Sequence, residues 1–450
     1  MKTVYKISRS GKTFYKLNSD YKGNFIVPNG VEIISEGAFE GCKGLTDVIL
    51  PSSLTLIKNN AFCDCSSLTK IHLPEKVTVI PQSCFSRCYS LSEILLPKGL
   101  IKIDDFAFWF CVSLECICFN ANLREIGSDA FGYTALKSIH IPISVEQIAR
   151  GAFCDNRMLT SITVDSNNDY YETNNDNILI EKQSKTVILG CRNSANKIPE
   201  GARKIAPFAF CRVPETLYIP GSVKTIESLA FGDCSACDGE VPCTSKIWLG
   251  DGVETIEDHA FSASLYLVQN YQVLIPPTVI KIGGQYSSID LILDPRNRYY
   301  QFDPCGDNII SIKDNVLVWG RLKSGHIGNN VKRIEGIFNN VGPDFRLKIP
   351  GTVEKIDPYM FEEFKSITIM PQTRIAYFLD CIPCDIILLI GPYNNELGEP
   401  LYTSVEIPYE ATPETARAIM KDIAHRDECW LNMTEDEITD YLFGDDDEIS

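Results

Sequence analysis

The apolar positions of this chain recur with a long and nearly constant period. The most regular markers are phenylalanines that follow one another at steps of 23 residues, with a last step of 22: Phe39, Phe62, Phe85, Phe108, Phe131 and Phe153. Prolines follow the same step, as do the cysteines Cys42, Cys65, Cys88 and Cys111. Because three residue types share one period, the pattern predicts a chain of stacked structural repeats.

One repeat reads L-x-x-I-x-L-P-x-x-V-x-x-I-x-x-x-A-F-x-x-C, and the segment from Leu68 to Cys88 is a full copy. The alternation in L-x-x-I-x-L predicts a short strand that ends at proline, because proline cannot donate a ladder hydrogen bond. We expect V-x-x-I to return the chain and Ala-Phe to fill a compact turn. About five large buried side chains, at ~1.5–3 kcal/mol each, cannot offset an ordering cost of about 1–2 kcal/mol per residue, so units must stack.

This repeat resembles the BspA-type leucine-rich repeats, over roughly residues 28–371. The resemblance implies a leucine-rich-repeat solenoid that is curved and right-handed, with short parallel strands on one face and compact turns on the other. It also implies recognition of proteins or surfaces, often by exported bacterial or protozoan proteins.

Two similar segments interrupt the repeat, at about residues 165–197 and 294–330. Each begins with an Asp-x-x-Asn-x-Tyr-Tyr motif, which starts at Asp165 in the first segment and at Asp294 in the second. Each motif is followed by two apolar runs around a polar turn, which predicts a β-hairpin insert. The inserts are interpreted either as lengthened repeats or as tyrosine-rich binding loops.

The two ends of the chain depart from the repeat. Residues 1–27 are predicted to form a capping hairpin, residues 28–391 the repeat array and residues 392–450 an acidic helical cap or tail. Thr412 before Pro413 and the sequence Thr434-Glu-Asp-Glu indicate helix starts in this last segment. It carries 16 acidic and 3 basic residues, so it either caps the array or docks a basic partner.

Charge and hydropathy limit the possible partners and the location. The formal net charge of -17 argues against nucleic acid, whose phosphates need a basic surface. The first residues lack the apolar stretch of a secretory signal, and the apolar run from Ile386 to Ile390 is too short to span a bilayer. We therefore expect no transmembrane segment and a cytoplasmic protein, with export or the cell surface as the alternative that the resemblance implies.

Motifs of catalysis and metal binding are weak in this sequence. Ser10-Gly11-Lys12-Thr13 ends like a phosphate-binding loop, but Lys6 occupies the position of the first glycine. The candidate zinc ligands are interpreted more simply as buried thiols and a scattered histidine: Cys234, Cys237, Cys243, His259, Cys381 and Cys384. We expect no cofactor, no metal and no enzymatic activity, and an enzyme with a cysteine or histidine site is the less favoured alternative.

The predicted strands leave one set of side chains facing outward, and these form the candidate binding face. Its residues are Ile49, His72, Leu95, His140, Tyr218, Trp248, Leu274 and Lys348. Because Trp and Tyr anchor interfaces more often than other residues, Tyr218 and Trp248 are the strongest candidates. The alternative is an ordinary solvent-facing sheet with scattered apolar residues. The sequence thus favours a non-enzymatic scaffold that binds a protein or peptide, with an exported adhesin or structural surface protein as the second hypothesis.

Overall fold

The computed structural model is built almost entirely from short strands arranged in two compact units. Unit 1 comprises Met1–Val253 with Tyr266–Gln269, and unit 2 comprises Glu254–Leu265 with Asn270–Ser450. The structure describes residues 4–174, 177–191, 198–210, 216–231, 244–261, 270–283, 289–303, 308–320, 327–334, 346–350, 352–356, 366–369, 385–394 and 400–407. Within these residues no helix is long and apolar enough to cross a membrane.

Most L-x-x-I-x-L segments form the predicted strands, and strands of adjacent copies pair in parallel; we call this set the long ladder. The copy from Leu114 to Phe119 is an exception, because its backbone forms no strand. In unit 1 its strands are Lys22–Ile26, Gly44–Ile49, Lys70–His72, Glu93–Leu95, Ser138–Ile141, Ser161–Val164, Thr216–Ile219 and Thr244–Leu249. In unit 2 they are Asn270–Ile275, Ile289–Leu293, Arg346–Ile349 and Ser366–Ile369.

The V-x-x-I segments also form parallel strands, of two residues each, and we call this set the short ladder. In unit 1 its strands are Ile33–Ile34, Leu56–Ile57, Val79–Ile80, Lys102–Ile103, Glu125–Ile126, Gln147–Ile148, Lys204–Ile205 and Thr225–Ile226. In unit 2 they are Thr255–Ile256, Lys281–Ile282, Arg333–Ile334 and Lys355–Ile356. The prediction of strands on one side only was therefore wrong, because a constant period also aligns the returning backbone, whose polar groups then pair between coils.

The repeat phenylalanines lie inside the coils of unit 1 and stack face to face. Phe14 begins this phenylalanine stack, and the six repeat phenylalanines from Phe39 to Phe153 continue it, each at most 2% exposed. Adjacent ring centroids are 4.7 to 5.4 Å apart and adjacent ring planes lie within 11° of each other. This ring spacing is close to the separation of about 4.8 Å between paired strands, so one ring fits each coil.

The turn that holds each phenylalanine has a left-handed residue two positions before the ring and another two positions after it. Around Phe62 these residues are Asn60 (φ 56°) and Asp64 (φ 59°). Their backbone N–H groups and that of Phe62 donate to carbonyls of the next coil, at 2.8 to 3.0 Å. The left-handed conformation thus allows the turns to form a hydrogen-bonded ladder of their own.

The N-terminal hairpin extends the short ladder of unit 1. Tyr5–Ile7 and Thr13–Leu17 pair antiparallel, and Thr13–Leu17 then pairs in parallel with Ile33–Ile34. The long ladder begins at Lys22–Ile26, so the repeat array starts before the predicted boundary at residue 28. The repeat pattern hid this strand because Phe25 stands where the next copies carry valine or isoleucine.

The first insert contains three strands rather than a two-stranded hairpin. Tyr171–Thr173, Ile178–Glu181 and Thr186–Gly190 form an antiparallel sheet. The last of these strands pairs in parallel with Lys204–Ile205, so the insert rejoins the short ladder. In unit 2 the second insert repeats this arrangement with Tyr300–Phe302, Asn308–Ser311 and Val316–Gly320.

An asparagine and a tyrosine of each insert motif are buried and bind the preceding coil. Asn168 Nδ2 donates to the carbonyls of Pro142 (2.8 Å) and Val145 (3.0 Å), and its Oδ1 accepts from the backbone N–H of Tyr171 (2.7 Å). The Tyr171 hydroxyl accepts from the backbone N–H of Ile148 at 2.7 Å. Burial raises the pKa of Tyr171 to about 12. This part of the tyrosine-rich motif is therefore structural.

The same contacts occur in unit 2. Asn297 Nδ2 donates to the carbonyls of Pro276 and Val279, and the Tyr300 hydroxyl accepts from the backbone N–H of Ile282 at 2.6 Å. The two motifs therefore join an insert to its preceding coil in the same way.

The chain after the last repeats continues as strand. Asp385–Asn394 pairs in parallel with Ser366–Ile369 and antiparallel with Pro400–Ile407. The predicted boundary after Gly391 therefore falls inside a strand, and the start of the predicted helical segment is a strand as well. Its alternating sequence Thr403-Ser-Val-Glu-Ile is typical of a strand. The helices predicted from Pro413 and Thr434 lie outside the described residues.

Replacing Phe85 with alanine should lower the free energy of unfolding by about 3–5 kcal/mol, because removal of this ring leaves a cavity between the rings of Phe62 and Phe108. The matched control is Tyr89→Ala, whose side chain is 41% exposed and which should change stability by less than ~0.5 kcal/mol. Urea unfolding followed by circular dichroism measures both variants. Equal losses from the two would contradict a stabilising stack.

Replacing Tyr171 with phenylalanine removes one hydroxyl and leaves the buried N–H of Ile148 without its acceptor. We expect a loss of about 1–3 kcal/mol in the free energy of unfolding. Tyr170→Phe is the control, because Tyr170 is 46% exposed. If both variants unfold at the wild-type urea concentration, the hydroxyl does not join the insert to the repeat.

Candidate binding face

Outward side chains of the long ladder of unit 1 align from strand to strand. Alternation directs Val48, Ile71 and Ile94 into the core and leaves the residue after each exposed. The ladder register places Ile26 opposite Ile49, and His72 opposite Leu95. We call Ile26, Ile49, His72, Leu95 and His140 the outer row. Its aliphatic members are 65% (Ile26), 55% (Ile49) and 52% (Leu95) exposed.

Ile26 is a member of this row that the sequence analysis missed. It stands two residues before Pro28, as Ile49 stands two residues before Pro51. That spacing was the available signal, and it was hidden because residues 1–27 were assigned to the cap. The row therefore begins one coil earlier than predicted.

Charged and polar residues of alternating sign lie beside the outer row. Lys70 Nζ lies 3.9 Å from Asp47 Oδ2, and His72 Nε2 lies 3.9 Å from Glu93 Oε1. Lys70, His72 and Glu93 are exposed and both separations are long for an ion pair, so the pairs add little to stability. The next histidine of the row, His140, hydrogen-bonds through Nδ1 to Thr163 Oγ1 at 3.0 Å. The row thus combines exposed aliphatic side chains with two histidines and has a polar margin.

Tyr218 and Trp248 lie on neighbouring strands of the same ladder, directly opposite each other in register. Their exposed fractions are 42% and 46%, whereas Leu217 and Ile247 beside them are buried. The two strongest sequence candidates are therefore adjacent. Among the described strands, no pairing joins these two strands to the strand of His140. The first insert lies between them in the sequence.

The remaining two candidates belong to unit 2. Leu274 is half-buried and lies opposite Ile292, which is 43% exposed. Lys348 lies on a strand in register with Thr368, and its side chain is outside the described residues. The candidate face is thus distributed over both units, and only its unit 1 members are exposed in the described part of the chain.

The repeat cysteines are hydrogen-bond donors inside the coils. The thiols of Cys65, Cys88 and Cys111 each donate to a phenylalanine carbonyl 26 residues earlier, with Sγ–O distances of 3.1 Å. Burial raises the pKa of Cys111 and that of Cys88, and it raises the pKa of Cys42 to about 12. These thiols stay protonated at neutral pH, which suits a structural role. Nucleophilic attack and metal binding instead require the thiolate.

The other candidate chemistry is only partly covered by the structure. The five cysteines considered as zinc ligands lie outside the described residues, and His259 occupies a left-handed turn position two residues before Phe261. Among the described residues, no three His, Cys, Asp or Glu side chains are grouped to hold a metal ion. Cys116 and Cys118 differ from the repeat thiols because both are exposed.

The phosphate-loop alternative fails on geometry. Ser10, Gly11 and Lys12 form the turn of the N-terminal hairpin, and Thr13 begins a strand. A phosphate-binding loop is followed by a helix, whereas this turn is followed by the strand Thr13–Leu17.

Solved structures of three bacterial proteins are similar to this chain at low identity. A leucine-rich repeat protein from Eubacterium ventriosum is 16% identical with a TM-score of 0.43, over 82% of this chain and 87% of that one. The pneumococcal vaccine antigen PcpA is 19% identical with a TM-score of 0.43, over 80% and 78%. A leucine rich cell surface protein from Faecalibacterium prausnitzii is 18% identical with a TM-score of 0.36, over 81% and 78%. A search of the curated proteins finds no match.

The repeat itself gives the family. The family model described as BspA type Leucine rich repeat region (6 copies) matches residues 10–135, 92–188, 184–286 and 305–378. Together these segments span well over half of the chain, and they contain the phenylalanine turns, the short ladder and all of the long ladder except Ile289–Leu293. The resemblance seen in the sequence is therefore confirmed, and the chain belongs to the BspA-type leucine-rich repeat family.

Proposed function

We propose that this protein is a non-enzymatic scaffold that binds a protein or peptide on the outward side of its long ladder. The observation that carries the proposal is the adjacent pair Tyr218 and Trp248, exposed and in register on neighbouring strands. Aromatic side chains of this kind contribute large contact areas at interfaces at a low entropy cost.

The surroundings of the pair fit this role. Thr216 and Lys246 are exposed on the same two strands, so polar groups border the two rings. An apolar centre with a polar rim is the usual arrangement of a protein interface. The aliphatic members of the outer row, Ile26, Ile49 and Leu95, supply further exposed apolar surface in the same unit. An extended segment is therefore the kind of partner that fits this face.

The core chemistry supports a scaffold rather than a catalyst. The buried repeat thiols are engaged as donors to backbone carbonyls, so they serve the fold. Catalytic cysteines instead need a stabilised thiolate in an accessible position. The exposed Cys116 and Cys118 are the thiols on which the enzyme alternative depends among the described residues.

Replacing Tyr218 or Trp248 with alanine should weaken binding by about 2 kcal/mol, or roughly thirtyfold, if the pair is the centre of the interface. The probe is a set of peptides selected against the wild-type chain from a phage-displayed random library, with affinities measured by calorimetry. Tyr170→Ala is the control, because Tyr170 has a similar exposure (46%) and lies outside the long ladder.

Two results would count against the proposal. If the selected peptides bind both alanine variants as tightly as wild type, the aromatic pair is not the interface. If Tyr170→Ala weakens binding as much, the site lies elsewhere. Fractionation of the source cells then separates a cytoplasmic scaffold from an exported surface protein that uses the same face.

Native-state alkylation distinguishes the scaffold from the cysteine enzyme. With N-ethylmaleimide and peptide mass spectrometry, we expect Cys116 and Cys118 to react at the rate of an ordinary exposed thiol. Cys88 and Cys111 should react only after unfolding, because they are buried and their pKa values are raised. A thiol that reacts much faster than free cysteine would favour the enzyme instead.

A further inference from the structure

One turn of unit 1 differs from its neighbours in chemistry. In most other turns the residues that flank the stacked phenylalanine are small or polar, as with Asn60, Cys63 and Asp64 around Phe62. Around Phe108 the corresponding residues are all aromatic: Phe106, Trp109 and Phe110. The next turn adds Tyr133 in the position that corresponds to Phe110.

These four side chains form one partly exposed cluster. The rings of Phe110 and Tyr133 stack, with centroids 4.4 Å apart and planes 3° apart. Trp109 packs edge-on against Phe110 at 4.4 Å, and Phe106 lies 6.2 Å from Trp109 at 87°. We call Phe106, Trp109, Phe110 and Tyr133 the aromatic turn patch. None of them belongs to the phenylalanine stack, so the core does not require them.

The backbone under the patch is unfavourable for such side chains. Phe106, Phe110 and Tyr133 have φ values of 57°, 59° and 57°, in the left-handed region. The first turn of the array uses Gly37 and Gly41 at the equivalent positions. Glycine adopts this conformation without strain, whereas a bulky aromatic residue is an outlier there. Strain that the fold does not need points to a function.

Gly132, beside the patch, leaves room for the indole of Trp109. Gly132 follows Phe131 as Trp109 follows Phe108, so the two residues occupy the same position in adjacent turns. A Cβ atom on Gly132 would lie 3.1 Å from Trp109 Cδ1 and 2.8 Å from Cys154 Sγ. The glycine therefore allows the indole to lie close to the neighbouring coil.

Carboxylates border the aromatic turn patch. Asp105 directly precedes Phe106 and is exposed, and Asp129 holds the position of Phe106 in the next turn. Burial, and secondarily the charge of Asp105, raise the pKa of Asp129. Their described contacts are hydrogen bonds from Ser128 N to Asp105 (2.7 Å) and from Cys154 Sγ to Asp129 (3.0 Å). In the described part of the chain, neither aspartate forms an ion pair with a basic residue.

We propose that the aromatic turn patch, with Asp105, is a docking site for an arginine-rich segment of a partner protein. A guanidinium plane stacks on aromatic faces and donates in pairs to a carboxylate, so it matches both kinds of group in this patch. The compact ammonium of lysine matches only the charge. The site lies on the turns rather than on the long ladder, so it is separate from the interface proposed above.

The test uses short capped peptides as probes and the full-length chain. Acetyl-tetra-arginine amide should bind more tightly than its tetra-lysine analogue, and the neutral isostere tetra-citrulline should not bind measurably. Trp109→Leu and Phe110→Leu keep apolar bulk but remove the ring, and each should weaken arginine binding by about tenfold, which lies within the range for cation–π contacts. Asp105→Asn should weaken it severalfold and preserve the fold, because the residue is exposed and the asparagine Oδ1 can still accept from Ser128 N.

The matched control is Glu36→Gln. Glu36 is exposed and stands three residues before Phe39, as Asp105 stands three before Phe108, but its turn carries glycines instead of aromatic residues. It should leave the affinity within about twofold of wild type, as should Tyr218→Ala. The proposal is overturned if the leucine variants bind tetra-arginine as tightly as wild type. It is also overturned if Glu36→Gln and Asp105→Asn weaken binding equally, since a chain of net charge -17 would then attract the peptide diffusely.

Discussion

The fold of unit 1 depends on the match between two distances, the separation of hydrogen-bonded strands and the separation of stacked aromatic rings. Paired strands lie about 4.8 Å apart, and the phenylalanine rings lie 4.7 to 5.4 Å apart. A planar ring can therefore fill each coil and contact the rings above and below it. The left-handed residues on either side of each phenylalanine follow from this, because the backbone must turn sharply around the ring and still donate to the next coil.

The turn carbonyls explain why cysteine accompanies phenylalanine. Cys88 Sγ donates to the carbonyl of Phe62, and where the period shortens to 22 an asparagine takes over this contact. Asn156 Nδ2 donates to the carbonyl of Phe131 at 2.7 Å. A buried carbonyl left without a donor is costly, so the position selects a small donor rather than cysteine chemistry. The many cysteines of the chain thus do not by themselves indicate disulfides, metal or catalysis.

The sequence predicts what the period controls and little beyond it. Most strands of the long ladder, the inward residues and the phenylalanine turns are predictable, because burial imposes a repeated apolar pattern. The short ladder is not, since a two-residue strand has no alternation to detect. The sequence left the role of Tyr171 open between a lengthened repeat and a binding loop, because a tyrosine that accepts one backbone hydrogen bond cannot be distinguished in sequence from an exposed one. The strand Pro400–Ile407 was missed because acidic composition outweighed a weak alternation.

Outward positions carry the functional information in such an array, and the repeat period does not determine which residues occupy them. The core fixes their direction but not their identity, so an outward side chain is informative where the register places two unusual ones together, as with Tyr218 and Trp248. In the turns a large side chain is more informative, since the left-handed backbone itself favours glycine or asparagine. Phe106 and Phe110 depart from that preference at two positions of one turn, and neither ring enters the stack. A departure that opposes the local backbone preference therefore distinguishes a functional surface better than exposure alone.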